Sequence, residues 1–214
     1  VQQVLNTPHL SIGPRLVAFE RAMAEYVGAR YAIGVSSGTA GLHLAVIAAG
    51  VKDGDLVITT PFSFVASANC ILYERGIPIF VDIDPDTLNI DPLLVSQAAN
   101  DLMNGEDSAS DWLPPTVREN GKSQAKGRLQ AILPVDVFGQ PADYDPLREV
   151  AEHFKLSVIE DACEAIGAEY RGREAGKLGD AAVFAFYPNK QMTTGEGGVI
   201  VTDREDWRSL FESL

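Results

Sequence analysis

Short apolar runs alternate along the chain with stretches whose apolar residues recur at helical spacing, and this alternation limits the possible folds more than any other feature. Each run is short, continuous and flanked by turn residues, as is typical of strands that are buried in a sheet. The runs predicted as strands are 31–35, 56–59, 78–81, 129–135, 157–159, 181–186 and 199–202. Strands that alternate with helices favour an α/β fold, in which a mostly parallel central sheet is flanked by helices.

The stretches between these runs predict the helices. The first predicted helix begins at Gly13-Pro14 and ends at Gly28. The others are 41–49, one that begins at residue 64, 93–103, 146–154 and one that begins at about residue 206. Residues 104–127 are polar and aperiodic, so we predict a surface excursion there, with Trp112 as its anchor. No internal repeat is visible, and residues 1–214 are predicted to form one large domain.

The formal net charge of −13 limits the partners of the chain. Nucleic acids and anionic membranes need clustered Lys and Arg, so neither is predicted, whereas one local basic group or a helix terminus can hold a small anionic substrate. No apolar run approaches the ~20 residues of a membrane span, and the first residues lack the features of a secretory signal. Cys70 and Cys163 lie outside any CxxC spacing and are predicted to be free thiols of a cytoplasmic protein.

No metal site is predicted. The three histidines are scattered along the chain. The acidic run at 82–92, DIDPDTLNIDP, resembles a calcium-binding loop only superficially, because it lacks the required glycine and the terminal glutamate. Its aspartates are predicted to serve turns and helix caps instead.

Lys190 lies in a segment that cannot move far. It follows the predicted strand 181–186, which Pro188 should end because proline cannot donate to a sheet ladder. A glycine-rich turn, 195–198, then leads into the strand 199–202. Most lysines are simply solvated, but a lysine confined in this way is also a candidate for covalent catalysis.

Three other predicted strand ends have polar or aromatic residues. The turn from Ser36 to Ala40 precedes a helix, so its residues are predicted either to cap that helix or to bind a phosphate with its free amides. Phe62 and Phe64 follow another strand, and core packing is the commoner fate of such aromatics. Asp161 lies at the carboxyl end of a buried strand, where it could brace a loop or bind a ligand.

These features together match the requirements of pyridoxal 5′-phosphate. The cofactor needs a lysine for its Schiff base, a carboxylate at the pyridine nitrogen, a flat partner for its ring and an anion-binding turn for its phosphate. No single feature of the chain is specific for this cofactor, but the set is much more specific.

The stretches SSGTAGLHLAV, FVDIDPDTLNIDP, VIEDACEAIGAEYRGR, GDAAVFAFYPNK and TTGEGG resemble the DegT-type family of nucleotide-sugar aminotransferases. The resemblance extends from about Gly13 to the last residue. It implies the large domain of a PLP-dependent transferase of fold type I, the aspartate aminotransferase fold. It also implies that a short N-terminal piece and a smaller C-terminal domain, which such proteins normally have, are absent from this chain.

The resemblance also implies roles for individual residues. Lys190 would form the internal aldimine with the cofactor and then move a proton between the substrate carbon and the cofactor. Asp161 would keep the pyridine nitrogen protonated, and Phe64 would stack on the ring.

Further positions implied by the resemblance surround the phosphate and the phenolic oxygen of the cofactor. Gly38, Thr39 and Ala40 would meet the phosphate, and Glu164 would contact the phenolic oxygen. Two residues depart from the family pattern, which commonly has Gln at position 164 and Ser at position 185, where this chain has Glu164 and Ala185. A carboxylate would repel an anionic phenolate, so we expect Glu164 either to be protonated or to raise the pKa of the aldimine.

The implied reaction moves an amino group, from glutamate as donor, to a keto group of a nucleotide-linked sugar, and the implied assembly is a homodimer. One alternative is a dehydratase of the same fold, but such an enzyme has a histidine in place of Lys190. A second alternative is a regulatory or scaffolding protein that kept the fold without the catalysis. A yellow protein bleached by glutamate would indicate the enzyme.

Overall fold

The computed structural model describes residues 1–9, 11–104, 108–119, 122–123 and 127–214. Its helices are α1 Gln2–Leu5, α2 Pro14–Val27, α3 Gly38–Ala48, α4 Ala66–Tyr73, α5 Pro92–Asn104, α6 Ala109–Trp112, α7 Tyr144–Phe154 and α8 Glu205–Ser213. Short 3-10 turns occur at Pro115–Val117 and Val137–Gly139. No helix in these described ranges is long and apolar enough to cross a membrane.

Seven of the described strands form one sheet. The strands of the chain are β1 Tyr31–Val35, β2 Leu56–Thr59, β3 Ile77–Phe80, β4 Arg118–Glu119, β5 Lys122–Ser123, β6 Leu129–Leu133, β7 Ser157–Asp161, β8 Glu169–Tyr170, β9 Arg173–Glu174, β10 Ala181–Ala185 and β11 Gly198–Thr202. The large sheet has the order β1-β11-β10-β7-β6-β2-β3. β11 is antiparallel to both of its neighbours, and every other adjacent pair is parallel.

Helices cover both faces of this sheet. α3, α4 and α8 pack on one face, through residues such as Val46, Ile71 and Phe211. α5 and α7 pack on the other face, where α2 adds a third cluster around Phe184. Successive residues of a strand point to opposite faces, so Val57 joins the first cluster while Ile58 joins the second. The predicted α/β fold with a mostly parallel, doubly covered sheet is therefore confirmed.

Several predicted boundaries were wrong, each for a local reason. α3 begins at Gly38 rather than at residue 41, because the Ser37 side chain caps it. α4 begins at Ala66 rather than at residue 64. β6 stops at Leu133, directly before Pro134, whereas β7 extends two residues beyond its predicted end to Asp161. This last extension places the Asp161 carboxylate on the strand itself.

The polar segment 104–127 is only partly the surface excursion that we predicted. Leu113 is buried in the core beside α5, and α6 ends at Trp112. The indole of Trp112 donates to Asp101 Oδ2 at 2.8 Å, which confirms the predicted anchor. The prediction also covered residues 105–107, 120–121 and 124–126, which lie outside the described residues.

Candidate active site

A cavity of about 730 Å³ opens at the carboxyl edge of the sheet. The segments that follow β1, β2, β6, β7 and β10 form its walls. Because these strands are mutually parallel, their carboxyl ends meet at one edge, which is where open α/β sheets bind ligands. Six of the seven predicted site residues line the cavity, namely Gly38, Thr39, Phe64, Asp161, Glu164 and Lys190. The seventh, Ala40, is not among the lining residues.

Lys190 is held in a closed turn after β10. Its amide donates to the Tyr187 carbonyl at 2.9 Å. The turn is closed at its base, where the Phe186 amide donates to the Gly197 carbonyl at 2.9 Å and the Thr193 hydroxyl donates back to the Phe186 carbonyl. The Lys190 side chain is 16% exposed, so its amine points into the cavity rather than into bulk solvent.

The Lys190 amine pairs with Glu164, the residue that departs from the family pattern. Nζ lies 2.8 Å from Oε1 of Glu164, whose side chain is 39% exposed. The backbone of Glu164 is fixed by two neighbours. Gln191 donates its side-chain amide to the Glu164 carbonyl, and a Cβ at Gly139 would lie 2.8 Å from that same oxygen. The turn that carries Lys190 therefore holds the backbone of Glu164, and the loop after β6 packs closely against it.

Asp161 is buried at the end of β7 and is 5% exposed. Oδ2 accepts a hydrogen bond from the Ser67 hydroxyl at 2.7 Å, and Oδ1 accepts one from the Cys163 amide at 3.3 Å. The Asp161 amide donates to the Pro134 carbonyl of the neighbouring loop. Asp161 thus braces its surroundings and also faces the cavity, so the two roles considered from the sequence are not exclusive.

Two more carboxyl groups lie near Asp161. Asp136 is 1% exposed and Glu160 is fully buried. Burial raises the pKa of Glu160 to about 7, although amides such as that of Leu178 donate to it. Burial, followed by the nearby charge of Glu160, also raises the pKa of Asp136 well above its ordinary value. These two groups can therefore hold protons near neutral pH.

Asp136 has one satisfied oxygen and one that lacks a partner. Oδ1 accepts from the Tyr144 hydroxyl at 2.9 Å and from the Ala142 amide at 3.0 Å. Oδ2 is buried and accepts no hydrogen bond from the described residues, and the neighbouring Glu160 carboxyl can share a proton with Asp136. A buried polar atom in this state is unusual, and it marks this carboxyl as a site where a proton can reside.

The amino terminus of α3 forms part of the cavity wall. The Ser37 side chain accepts from the Ala40 amide at 3.1 Å, so the capping interpretation is confirmed for these two residues. The amides of Gly38 and Thr39 belong to the first turn, where N–H groups have no partner within the helix. A Cβ at Gly38 would lie 2.8 Å from Cβ of Ala185 and 2.9 Å from Sγ of Cys163, so the chain needs glycine here.

Aromatic side chains surround the mouth of the cavity. Phe64 is 75% exposed and Phe62 is 40% exposed. The prediction that these two aromatics pack in the core was therefore wrong. The Phe62 ring meets the ring of Phe138 edge to face, with centroids 6.0 Å apart. Phe138 is 76% exposed and has a φ of 54°, a left-handed conformation that is uncommon for an aromatic residue.

The model of the DegT/DnrJ/EryC1/StrS aminotransferase family matches residues 1–214. The chain belongs to this family. The resemblance inferred from the motifs is thereby confirmed, and so is the fold type, because the solved structures most similar to the chain include aminotransferases of the same family.

Two curated relatives illustrate the range of the family. The chain is 41% identical to a GDP-perosamine synthase of Caulobacter vibrioides over 204 residues, which are 95% of the chain and 48% of the relative. It is 36% identical to a pleiotropic regulatory protein of Geobacillus stearothermophilus over 207 residues, which are 96% of the chain and 49% of that relative. The chain thus spans about half the length of the curated relatives it matches.

Solved structures give the same result. DesV of S. venezuelae, in complex with a ketimine intermediate, has a TM-score of 0.83 and 33% identity, and the match covers 100% of the chain and 51% of DesV. A family aminotransferase from Brucella abortus has a TM-score of 0.85 and 28% identity, and the match covers 99% of the chain and 52% of the other.

The sequence did not reveal every residue that the fold brings to the cavity. Ser67, Asp136 and Phe138 all border it. A serine inside a helix and a phenylalanine in a loop carry no local signal of this kind. Asp136 directly follows the predicted strand 129–135, and Asp161 is the last residue of β7. A carboxylate at the end of a strand was therefore the one available sign that Asp136 would reach the cavity.

Proposed function

We propose that this chain is the cofactor-binding part of a PLP-dependent aminotransferase. In this proposal the enzyme moves an amino group from glutamate to a keto group of a nucleotide-linked sugar. The observation that supports it most directly is the Lys190 amine, held in the cavity at 2.8 Å from Glu164, with the buried Asp161 lining the same cavity. The family and the GDP-perosamine synthase named above support the substrate class.

The residues of the cavity fit pyridoxal 5′-phosphate. When bound, this cofactor supplies an electron sink for the substrate carbon that loses a proton. Lys190 would bind the cofactor covalently through its amine and afterwards carry the proton to and from that carbon. Asp161 would hold a proton on the pyridine nitrogen, because a buried carboxylate that accepts two hydrogen bonds is fixed in orientation.

Two parts of the predicted phosphate cradle are weaker than the family pattern implies. The Ala40 amide already serves Ser37, and Ala185 offers no hydroxyl. We therefore assign the phosphate to the amides of Gly38 and Thr39 at the start of α3, where the positive end of the helix dipole favours an anion. Phe64, exposed at the cavity mouth, would cover the ring.

Substrate and subunit arrangement are also parts of the proposal. The cavity lining contains four carboxyl groups, on Asp136, Asp161, Glu164 and Glu196, and Lys190 is its one cation among the described lining residues. An anionic nucleotide-sugar would need additional positive groups. We propose that a second copy of the chain supplies part of the site in a homodimer, and the exposed aromatic rim at Phe62 and Phe138 supports a covered mouth.

We propose a cytoplasmic location. Cys70 and Cys163 are both free, and Cys70 is buried, which fits a reducing compartment. Burial also raises the pKa of each thiol, for Cys70 to about 12, so both are protonated at neutral pH.

A second candidate is a regulatory protein of the same fold, which the Geobacillus relative brings into consideration by its name. A dehydratase is disfavoured, because Lys190 occupies the position where such an enzyme has a histidine. The Lys190 amine, held in the cavity by Glu164, favours the enzyme, since a regulatory protein does not need a positioned amine.

Borohydride reduction tests the proposal. The chain is mixed with pyridoxal 5′-phosphate, its visible absorbance is recorded, and the reduced adduct is located by peptide mapping. We expect one adduct, on Lys190, and its loss in Lys190→Ala. Lys177→Ala is the matched control, because Lys177 is a partly buried, ion-paired lysine outside the cavity. A folded protein without an adduct, or with adducts spread over surface lysines, would contradict the proposal and favour the regulatory protein.

A further inference from the structure

Ser67 lies in the first turn of α4 and is 1% exposed. Its hydroxyl is 2.7 Å from Oδ2 of Asp161, a residue 94 positions away in the sequence. We propose that Ser67 is a positioning residue, which fixes the Asp161 carboxylate for contact with the pyridine nitrogen of the cofactor. This inference rests on the proposed function and goes beyond it, since neither the family pattern quoted above nor the motifs involve Ser67.

A purely local role for the hydroxyl is the first alternative. Serine in a helix often bonds a carbonyl three or four residues earlier, and here the Phe64 carbonyl lies 3.3 Å from Ser67 Oγ. A hydroxyl has one proton to donate. The Asp161 oxygen is 0.6 Å closer, and a charged acceptor makes the stronger bond, so the proton belongs to the carboxylate.

A second hydroxyl completes a chain that reaches the cavity mouth. Ser63 Oγ lies 2.7 Å from Ser67 Oγ. Because Ser67 donates to Asp161, its oxygen is free to accept, and Ser63 becomes the donor of this pair. Ser63 directly precedes the exposed Phe64. The loop that presents Phe64 and the carboxylate at the end of β7 are therefore tied by two consecutive hydrogen bonds.

The three neighbouring carboxyl groups explain why Asp161 needs such a donor. Asp136 donates its amide to the Asp161 carbonyl, and Glu160 is the residue before it. Three negative charges so close together in a buried region would be costly, so protons must be shared among them. Hydrogen bonds to a carboxylate favour its ionised form. An Asp161 carboxylate among these groups needs donors of its own, and the hydroxyl of Ser67 and the amide of Cys163 supply two.

The two donors also fix the plane of the Asp161 carboxylate. One oxygen is bonded by a side chain of α4, and the other is bonded by the backbone two residues further on. Loss of the Ser67 hydroxyl removes the short 2.7 Å bond to Oδ2 and keeps the longer 3.3 Å bond from the Cys163 amide, which permits the group to rotate. The expected consequence is a weaker contact with the ring nitrogen rather than a weaker fold.

A pair of ligands isolates this contact. Pyridoxal 5′-phosphate has the ring nitrogen, whereas its 1-deaza analogue has a carbon there and is otherwise the same shape. We expect Ser67→Ala to weaken binding of pyridoxal 5′-phosphate by about tenfold, and to change binding of the deaza analogue by less than about twofold. Ser67→Thr, which keeps the hydroxyl, should restore the preference for the natural ring. If threonine is too large for the site, Ser67→Cys should give an intermediate result, because a thiol is a weak donor.

Thr202→Val is the matched control. It removes a buried hydroxyl that donates to the Asp180 carbonyl at 2.7 Å, and it lies on β11 outside the cavity. It should change the free energy of unfolding without altering the ratio of the two ligand affinities. An equal loss of both ligands in Ser67→Ala would make Ser67 merely structural, and unchanged binding of both would also overturn the proposal. If the unmodified chain binds neither ligand, the proposed function fails instead, so the two failures are distinguishable.

Discussion

At the scale of single residues, Glu164 has the largest consequence because it replaces a neutral amide of the family pattern with a carboxylate. Its Oε1 is 2.8 Å from the Lys190 amine, and this distance permits a strong charge-assisted hydrogen bond. A negative neighbour favours the protonated form of a nitrogen group. We therefore expect the proton that a bound cofactor would share with Lys190 to have a higher pKa in this chain than in a chain with glutamine at position 164.

The corresponding prediction concerns Glu164→Gln. In the cofactor-loaded protein, we expect the pH midpoint of the change in visible absorbance to fall by about one unit, because the negative charge is lost while the side-chain shape is kept. Glu196→Gln is the control, since Glu196 lines the same cavity but does not contact Lys190 among the described residues. A midpoint that stays where it was in Glu164→Gln, or that rises, would refute this role.

At the scale of elements, the strands and most helices were predictable because each has a local signal. Turn residues flank the strands, and Gly13-Pro14 and Gly28 delimit α2, whose final glycine has a left-handed φ of 76°. The start of α3 was predicted three residues late, because Ser37 could be assigned as its cap only once the backbone was known. The contact of Ser67 with Asp161 joins α4 to β7 across the sheet, and no local pattern announces it.

At Gly38, the first residue of α3, helix propensity and tertiary packing predict opposite changes in the free energy of unfolding for Gly38→Ala. Helix propensity alone would make Gly38→Ala stabilising by about 1 kcal/mol. The tight contacts with Ala185 and Cys163 require α3 to shift, which typically costs about 1–3 kcal/mol. We expect the tertiary effect to win, with a lower free energy of unfolding in urea and weaker binding of pyridoxal 5′-phosphate. A more stable variant would show that the start of α3 has room to move.

At the scale of the whole molecule, the sheet brings together groups that are far apart in the sequence. The position of Lys190 and Asp161 at the cavity could be predicted because each ends or follows a strand. The pairing of Asp136 with Glu160 could not be predicted. It depends on β6 and β7 being neighbours in the sheet, which the sequence does not indicate. This pair also makes the stability of the fold depend on pH.

The sign of that dependence follows from the raised pKa values. Burial raises the pKa of Glu160 from 4.5 to about 7, so the folded chain binds more protons than the unfolded chain between these two pH values. The free energy of unfolding then decreases as the pH rises through this window. The contribution of Glu160 is fully present below about pH 4.5 and is lost as the pH rises through about 7. The raised pKa of Asp136 acts in the same direction.

Asp136→Asn tests whether the Asp136–Glu160 pair causes this pH dependence, because it keeps a side chain of nearly the same shape. An asparagine can keep its oxygen at the position of Oδ1, which accepts from Tyr144 and Ala142, and place its amide nitrogen at the position of the unpartnered Oδ2. The substitution removes one of the two coupled charges, so we expect the stability of the variant to vary less between pH 5 and pH 8. At pH 8 it should exceed the stability of the unmodified chain by about 1–2 kcal/mol. Urea unfolding at a series of pH values measures both effects. If the free energies of unfolding of the two proteins change in parallel with pH, Asp136 and Glu160 do not make stability depend on pH, which contradicts the prediction. Equal stabilities at low pH and a more stable variant at high pH would indicate that Asp136 and Glu160 share a proton.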